Sequence, residues 1–201
     1  YEFFQSIRES LQLFQAVTDT TLLHGEGWEF IQIGKYLERA DKTSRVLDED
    51  YFLLKMASDA ENASLLQWLS VLRSCSARQT YQKIYAAGAH PIKVTELLVL
   101  NEHFPRSMRF CMIRVDRSLR ELSGVRANEF SNSAEKISGR LLAELSFSSV
   151  EDIFNLGLHK AMDDLQVKLN QIGFAIYETY FDQKLPPEPV FAVEQLQPVQ
   201  Q

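Results

Sequence analysis

Residues 27–48 read GWEFIQIGKYLERADKTSRVLD, and this stretch decides the fold. It holds no proline and a single internal glycine, so nothing in it interrupts a helix. At about 100° per residue, Gly34, Glu38, Asp41 and Arg45 fall within an arc of roughly 60°. Phe30, Ile33, Leu37, Ala40, Leu47 and Tyr51 supply an apolar stripe beside that arc. Charge bordering a buried face predicts either an ion-pair cluster or a polar site. In the first reading Asp41 and Arg45 form an i,i+4 pair, worth ~0.3–0.5 kcal/mol if exposed, and Glu38 reaches an arginine on a neighbouring helix. In the second the same side chains line a pocket inside a bundle that holds a peptide or an amine. Gly34, one turn before Glu38, leaves room for a backbone or a ligand to approach. Arg39 points about 140° away from Gly34, so Glu38-Arg39 makes a bidentate site only if two helices contribute. On this reading Glu38→Ala destabilises more than Arg39→Ala.

Working outward, the same three-four periodicity recurs along the chain. Residues 3–17 predict a helix, and Thr18 to Gly27 a linker. The helix just quoted runs from about Trp28 to Leu54, and the polar stretch Ser58–Asn62 separates it from the next. That helix shows Leu65, Trp68, Leu72 and Cys75 on one face and stops at Gly88-Ala89-His90-Pro91. A short helix follows over Ile92–Leu100. Pro105 suits the first turn of another, whose seam is Met108, Met112, Val115, Leu119 and Leu122 and whose stop is Gly124. A weaker helix spans Glu129–Leu145. Ser149 can cap a long final helix, with Asp152 favoured at the positive end of its dipole. The seam of that helix (Leu158, Met162, Leu165, Leu169, Ile172, Ile176) keeps heptad spacing. Leu185-Pro186-Pro187 stops it. No stretch alternates with period two. The expectation is an all-α antiparallel bundle of about six to seven helices with 3-4 packing, a domain over 1–185 and a disordered tail over 186–201.

Composition narrows the function classes. A net charge of −6 opposes general nucleic-acid binding, which needs a basic surface to displace counterions. No apolar run reaches the ~18–20 residues needed to span a bilayer, and no signal-peptide pattern is visible; a cytoplasmic location is expected from the cysteines, two thiols inside helices suiting a reducing compartment. Cys75 and Cys111 fall inside predicted helices, as buried thiols rather than a disulfide framework. A carboxylate-bridged di-iron bundle needs Glu-x-x-His pairs. The residues three before His24, His90, His103 and His159 are Thr21, Ala87, Leu100 and Leu156, none of them acidic. No metal and no cofactor are expected. Ser74, Cys75 and Ser76 are adjacent without a nucleophile elbow, and there is no phosphate-binding glycine loop.

The block Trp28–Asp48, centred on Leu37-Glu38-Arg39-Ala40-Asp41, resembles the alpha-E family, a bacterial family of predicted all-helical proteins named for a Glu-Arg motif. Leu72-Arg73-Ser74-Cys75-Ser76-Ala77 with Tyr81, and Phe104-Pro105-Arg106-Ser107-Met108-Arg109-Phe110-Cys111, resemble it in the same order. Together they cover most of residues 20–125. Family members usually open with a related Glu-Arg helix, and this chain looks like the C-terminal two-thirds of such a protein. The resemblance implies work beside a circularly permuted ATP-grasp ligase and a transglutaminase-like peptidase, in forming or modifying small peptides in the bacterial cytoplasm. It favours a non-catalytic partner or substrate-presenting role. The alternatives are an enzyme using Glu38 or Asp41 as general base, and a structural oligomerisation module using the final helix.

For a partner surface the residues themselves offer arginines. Arg106, Arg109, Arg117 and Arg120 lie within an arc of roughly 80° opposite the Met108–Leu122 seam, suited to a phosphate or an acidic partner or simply a solvated face. Arg73 and Arg78 join that patch if their helix packs alongside.

Overall fold

The periodic segments fold as helices, and no strand occurs among the described residues. The computed structural model describes residues 2–56, 61–86, 88–126 and 129–182, the side chains of 50–64 excepted. In order these are α1 (Glu2–Thr21), α2 (Glu26–Met56), α3 (Glu61–Ser74), α4 (Arg78–Tyr85), α5 (Pro91–Thr95), a π-helical turn (Glu96–Leu100), α6 (Met108–Ser123), α7 (Ser133–Phe147), α8 (Val150–Leu156) and α9 (Leu158–Tyr180). None is long and apolar enough to cross a membrane.

Four of them form the body: α2 packs on α6 and α9, and α7 packs on the same two. Residue pairs fix the directions. Tyr36 faces Phe110 (centroids 5.9 Å apart), whereas Thr43 further along α2 bonds the carbonyl of Arg106, so α6 runs against α2. Phe30 meets Tyr180 at 5.3 Å and Asp48 meets His159 at 2.5 Å, so α9 does too. Asn132 reaches Tyr180 while Glu144 pairs with Lys168, and Glu135 lies by Ser123 while Gly139 lies by Asp116. Every neighbouring pair in the ring is therefore antiparallel, the expected architecture.

The seams read from the sequence are largely the seams that are buried; Leu122 is half-buried, Leu65 at the start of the α3 face is 40 % exposed, and the side chain of Tyr51 lies outside the described residues. Leu158, Met162, Leu165, Leu169, Ile172 and Ile176 of α9 are all in the core, as are Met108, Met112, Val115 and Leu119 of α6. Ile33, Ala40 and Leu47 of α2 are buried, with Phe30 and Leu37 packed partly against them. Removing such apolar area from water is what holds helices of this length in place, since propensity alone does not.

The described residues hold nine α-helices rather than six to seven, because two long segments break. The segment from Leu65 toward Gly88 divides at Ser76, which adopts φ +53°. Ala77 N–H donates to Leu72 O (2.7 Å) and Ser76 N–H to Arg73 O (2.9 Å), a Schellman ending built without glycine. The final segment divides at Gly157 (φ +94°), so Ser149 and Asp152 make a reciprocal capping box on the short α8 instead of on the long α9. Pro105 lies in the turn ahead of α6, and Ser107 caps that helix by accepting from Phe110 N–H at 3.1 Å. α1 runs to Thr21, into the expected linker, and the predicted stop at Leu185-Pro186-Pro187 and the tail beyond it lie outside the described residues.

Candidate functional site

The two halves of the Glu-Arg pair do different things, and the reason is the 100° step between adjacent helical positions. Arg39 turns inward. Its guanidinium stacks over the buried ring of Tyr36 at 5.2 Å, and its Nη1 donates to the carbonyl of Pro105 at 3.1 Å. One turn on, the buried Thr43 hydroxyl bridges the carbonyls of Arg39 (2.9 Å) and Arg106 (3.0 Å). These contacts clamp the turn before α6 onto α2. Within that turn the Asn101 side chain accepts from the amides of His103 and Phe104, and Ser107 donates to the Asn101 carbonyl.

Glu38 turns outward. Its side chain is 74 % exposed and forms an ion pair with Lys42, at 3.6 Å. Asp41 is 15 % exposed and takes both arms of Arg45, at 2.8 and 3.0 Å, with Lys42 at 3.3 Å. The Arg45 guanidinium hydrogen-bonded to it holds the Asp41 carboxyl below its ordinary value, against the opposing effect of burial. The cluster read from Gly34, Glu38, Arg39, Asp41 and Arg45 thus resolves into an ion-pair ladder (Glu38, Asp41, Lys42, Arg45) and a separate clamp, Arg39. Gly34 is exposed with no atom within 4 Å of where a Cβ would stand, so no backbone approaches there. The expected order of placement is reversed: Arg39 is tied into the fold and Glu38 is not. The premise failed because Arg39 is long enough to reach around Tyr36 to the next element.

Between α1 and α2 lies an open cleft of about 520 Å³. Leu11 and Phe14 of α1 and Ile31 of α2 give it apolar walls, while Lys35, Glu38, Arg39 and Lys42 of α2 and Arg106 beyond them supply charge. Lys35, Arg39 and Lys42 share one face of α2, within roughly 60° of one another. Arg114 stacks over the Tyr36 ring at 5.6 Å but does not line the cleft. Against these stand few acids. Asp19 of α1 lies 4.0 Å from Lys35 and accepts from the buried Gln32 at 3.2 Å, and Glu38 meets Lys42. On a chain of net charge −6 this is a locally cationic hollow. Sequence reasoning missed Lys35, Lys42 and Gln32. The four-three spacing of Lys35, Arg39 and Lys42 was the available signal, masked by the acidic arc alongside.

The arginines of α6 do not form one open stripe. Arg120 (side chain 19 % exposed) is bound to Asp116 at 2.8 Å and to the carbonyls of Arg126 and Glu129, both at 2.7 Å. Arg109 pairs with Glu102 at 3.0 Å. Arg117 is exposed and loosely paired with Glu121 at 3.9 Å, and Arg106 faces the α1–α2 cleft. The arc was right, but α7 and the flanking turns cover much of it. Arg73 and Arg78 are exposed on α3 and α4, which pack on α2, α5 and each other rather than alongside α6. Cys111 is buried among these elements, its thiol pushed up to about 12 by burial, and it forms no disulfide with the buried Cys75.

Fold and cleft together define a helical-bundle protein organised around a single Glu-Arg helix. Glu38-Arg39 is the one Glu-Arg dipeptide in the sequence. The chain belongs to the Alpha-E family, described as a predicted alpha-helical domain with a conserved ER motif, whose model matches residues 1–181. The match takes in α1 and the C-terminal helices as well as the 20–125 region that carries the resemblance. Neither the curated proteins nor the solved structures hold a match to the chain.

Proposed function

We propose that this chain is a non-catalytic binding protein that holds a partner or a peptide substrate for enzymes acting on it. The observation that carries the reading is the α1–α2 cleft, where an apolar wall faces a row of cations beside the family's motif. Such a combination recognises an amphipathic acidic surface: the wall contributes burial, and the cations contribute orientation and encounter rate. The resemblance supplies the setting, in which a circularly permuted ATP-grasp ligase and a transglutaminase-like peptidase make or modify small peptides in the bacterial cytoplasm.

The geometry speaks against a carboxylate base. Asp41 has its oxygens engaged by Arg45 and Lys42 and is held below its ordinary value, which leaves it little capacity to take a proton near neutrality. Glu38 lines the open α1–α2 cleft, where its side chain is 74 % exposed and paired with Lys42 at 3.6 Å, which suits a charge that orients a partner better than a base enclosed with its substrate. The α9 seam read from the sequence is buried against α2 and α7, so an oligomerisation role for the final helix would have to use its outer face, where Val167, Phe174 and Tyr177 are exposed.

Co-expression with an ATP-grasp ligase and a transglutaminase-like protein from the source organism tests the proposal. The chain should co-purify with one of them, and Lys35→Gln/Arg106→Gln should reduce recovery without lowering the melting temperature by more than a degree or two. Purified alone, the protein should show no ligase or hydrolase activity. Turnover of peptide or nucleotide by the isolated protein, or failure to form either complex, overturns the proposal.

A further inference from the structure

α1 is an amphipathic helix of 20 residues in which no residue is buried. Phe4, Ile7, Leu11 and Phe14 repeat at three-four spacing along it, a face roughly 80° wide, and are 74, 42, 58 and 59 % exposed. Its polar attachments to the body are confined to its C-terminal end, where Asp19 meets Gln32 and Lys35. A helix of this kind has little reason to be stable alone in water, since most helical stability comes from packing an apolar face. Its face is not turned at random, however. Leu11 and Phe14 look into the cleft whose opposite side is the cationic row of α2.

The geometry points to a single occupant for this cleft: an amphipathic helix of a partner protein, apolar along one side and acidic along the adjoining flank. This deepens the reading of the cleft as a partner site and rests on it. The apolar side of such a helix lies on Phe4, Ile7, Leu11 and Phe14, and its acidic flank meets Lys35, Lys42 and Arg106. The volume of about 520 Å³ admits the side chains of one helix face rather than a whole helix, which is the helix-in-groove mode with anchors at i, i+3 or i+4, and i+7. Charge complementarity selects against a basic helix. A second copy of α1 carries Glu2, Glu9 and Asp19 against Arg8, but Glu9 accepts from Gln5 and Asp19 is already held by Gln32 and Lys35 of its own chain, which leaves that helix little acid to offer along the flank.

The test uses the full chain and two synthetic helices of about 18 residues, five turns long. Both carry leucines at i, i+4, i+7 and i+11. One bears glutamates along the adjoining flank, and the other bears lysines at those positions. Fluorescence anisotropy should show the acidic peptide binding with a Kd on the order of 1–100 μM, weakening as salt is raised. Lys35→Gln/Arg106→Gln and, separately, Leu11→Ser/Phe14→Ser should each weaken it about tenfold or more. The latter residues are exposed, so circular dichroism should be unchanged by their replacement. Equal binding of the lysine peptide overturns the inference, as does indifference to either variant. So does a dimer in sedimentation that Leu11→Ser/Phe14→Ser dissociates, since a second copy would then fill the cleft. If the chain co-purifies with the ATP-grasp or transglutaminase-like protein while the acidic peptide does not bind, the occupant is wrong and the partner role stands; if neither binds, both fall.

Discussion

Replacing Arg39 with alanine removes three contacts at once. The guanidinium over Tyr36 at 5.2 Å is a cation–π pair of the partly exposed kind, worth ~0.5–1 kcal/mol. The hydrogen bond to the Pro105 carbonyl at 3.1 Å has a charged donor but stays within reach of water, so ~1 kcal/mol is a fair discounted figure. The aliphatic stem adds a few tenths more by covering the ring. Arg39→Ala should therefore cost about 1.5–2.5 kcal/mol, a fall of ~3–10 °C in Tm at the ~2–4 °C per kcal/mol usual for a chain of this size. Glu38→Ala removes an exposed carboxylate 3.6 Å from Lys42 and should stay within ~0.5 kcal/mol. Arg39→Lys keeps the charge but not the planar fork, and should fall between wild type and Arg39→Ala. Thermal melts by circular dichroism, with urea titrations for ΔG, compare the three directly. If Glu38→Ala is the more destabilising change, or if Arg39→Lys matches wild type, the clamp described above is not what Arg39 does.

Two further outcomes follow from the same contacts. Arg120→Gln should destabilise by about 2–3 kcal/mol, since it strands Asp116 and two main-chain carbonyls, whereas Arg117→Gln should change stability by ~0.5 kcal/mol or less; urea midpoints would show the split, and equal midpoints would contradict it. Acid should loosen the bundle through Glu135. Burial raises this carboxyl, but hydrogen bonds from Ser123, Ser131 and Asn132 outweigh it and hold it below its ordinary 4.5. A depressed folded value makes the stabilisation complete above about 4.5 and lost as pH falls through the folded value, and Asp41, also depressed, adds in the same sense. Tm measured from pH 7 down to pH 3 should thus fall below about 4.5, and less steeply in Glu135→Gln; an unchanged slope in that variant would refute the assignment.

The fold was legible because its signal is periodic. Each long seam, from Met108 to Leu119 and from Leu158 to Ile176, is a local pattern that burial only has to honour. What was not legible is what turns on single backbone angles. Ser76 takes a left-handed conformation that its residue type does not advertise, and Gly157 ends a helix where glycine can equally be tolerated. The site was half legible. Asp41–Arg45 pairs as its spacing foretold, because both partners sit on one helix. The roles of Arg39 and Arg120 depend on Pro105 and Glu129, whose approach no helical wheel contains. The cleft needed α1, whose apolar face is plain in the sequence while the element it overlooks is not.

The bond from Arg39 to Pro105 joins residues 66 apart. Closing a loop of that size costs about 4 kcal/mol of chain entropy before any contact is gained. The other walls of the ring are cheaper to raise, for α6 and α7 are sequence neighbours and only the short α8 intervenes before α9. A hairpin of α6 and α7 with α9 laid against it can therefore assemble early from short-range closures. The helix α2 must be recruited from beyond the α3–α5 excursion, and its docking is the step on which topology slows folding. Arg39 and Thr43 tie that far segment down in the native bundle, so weakening them should slow refolding as well as lower stability, which stopped-flow refolding of Arg39→Ala would read.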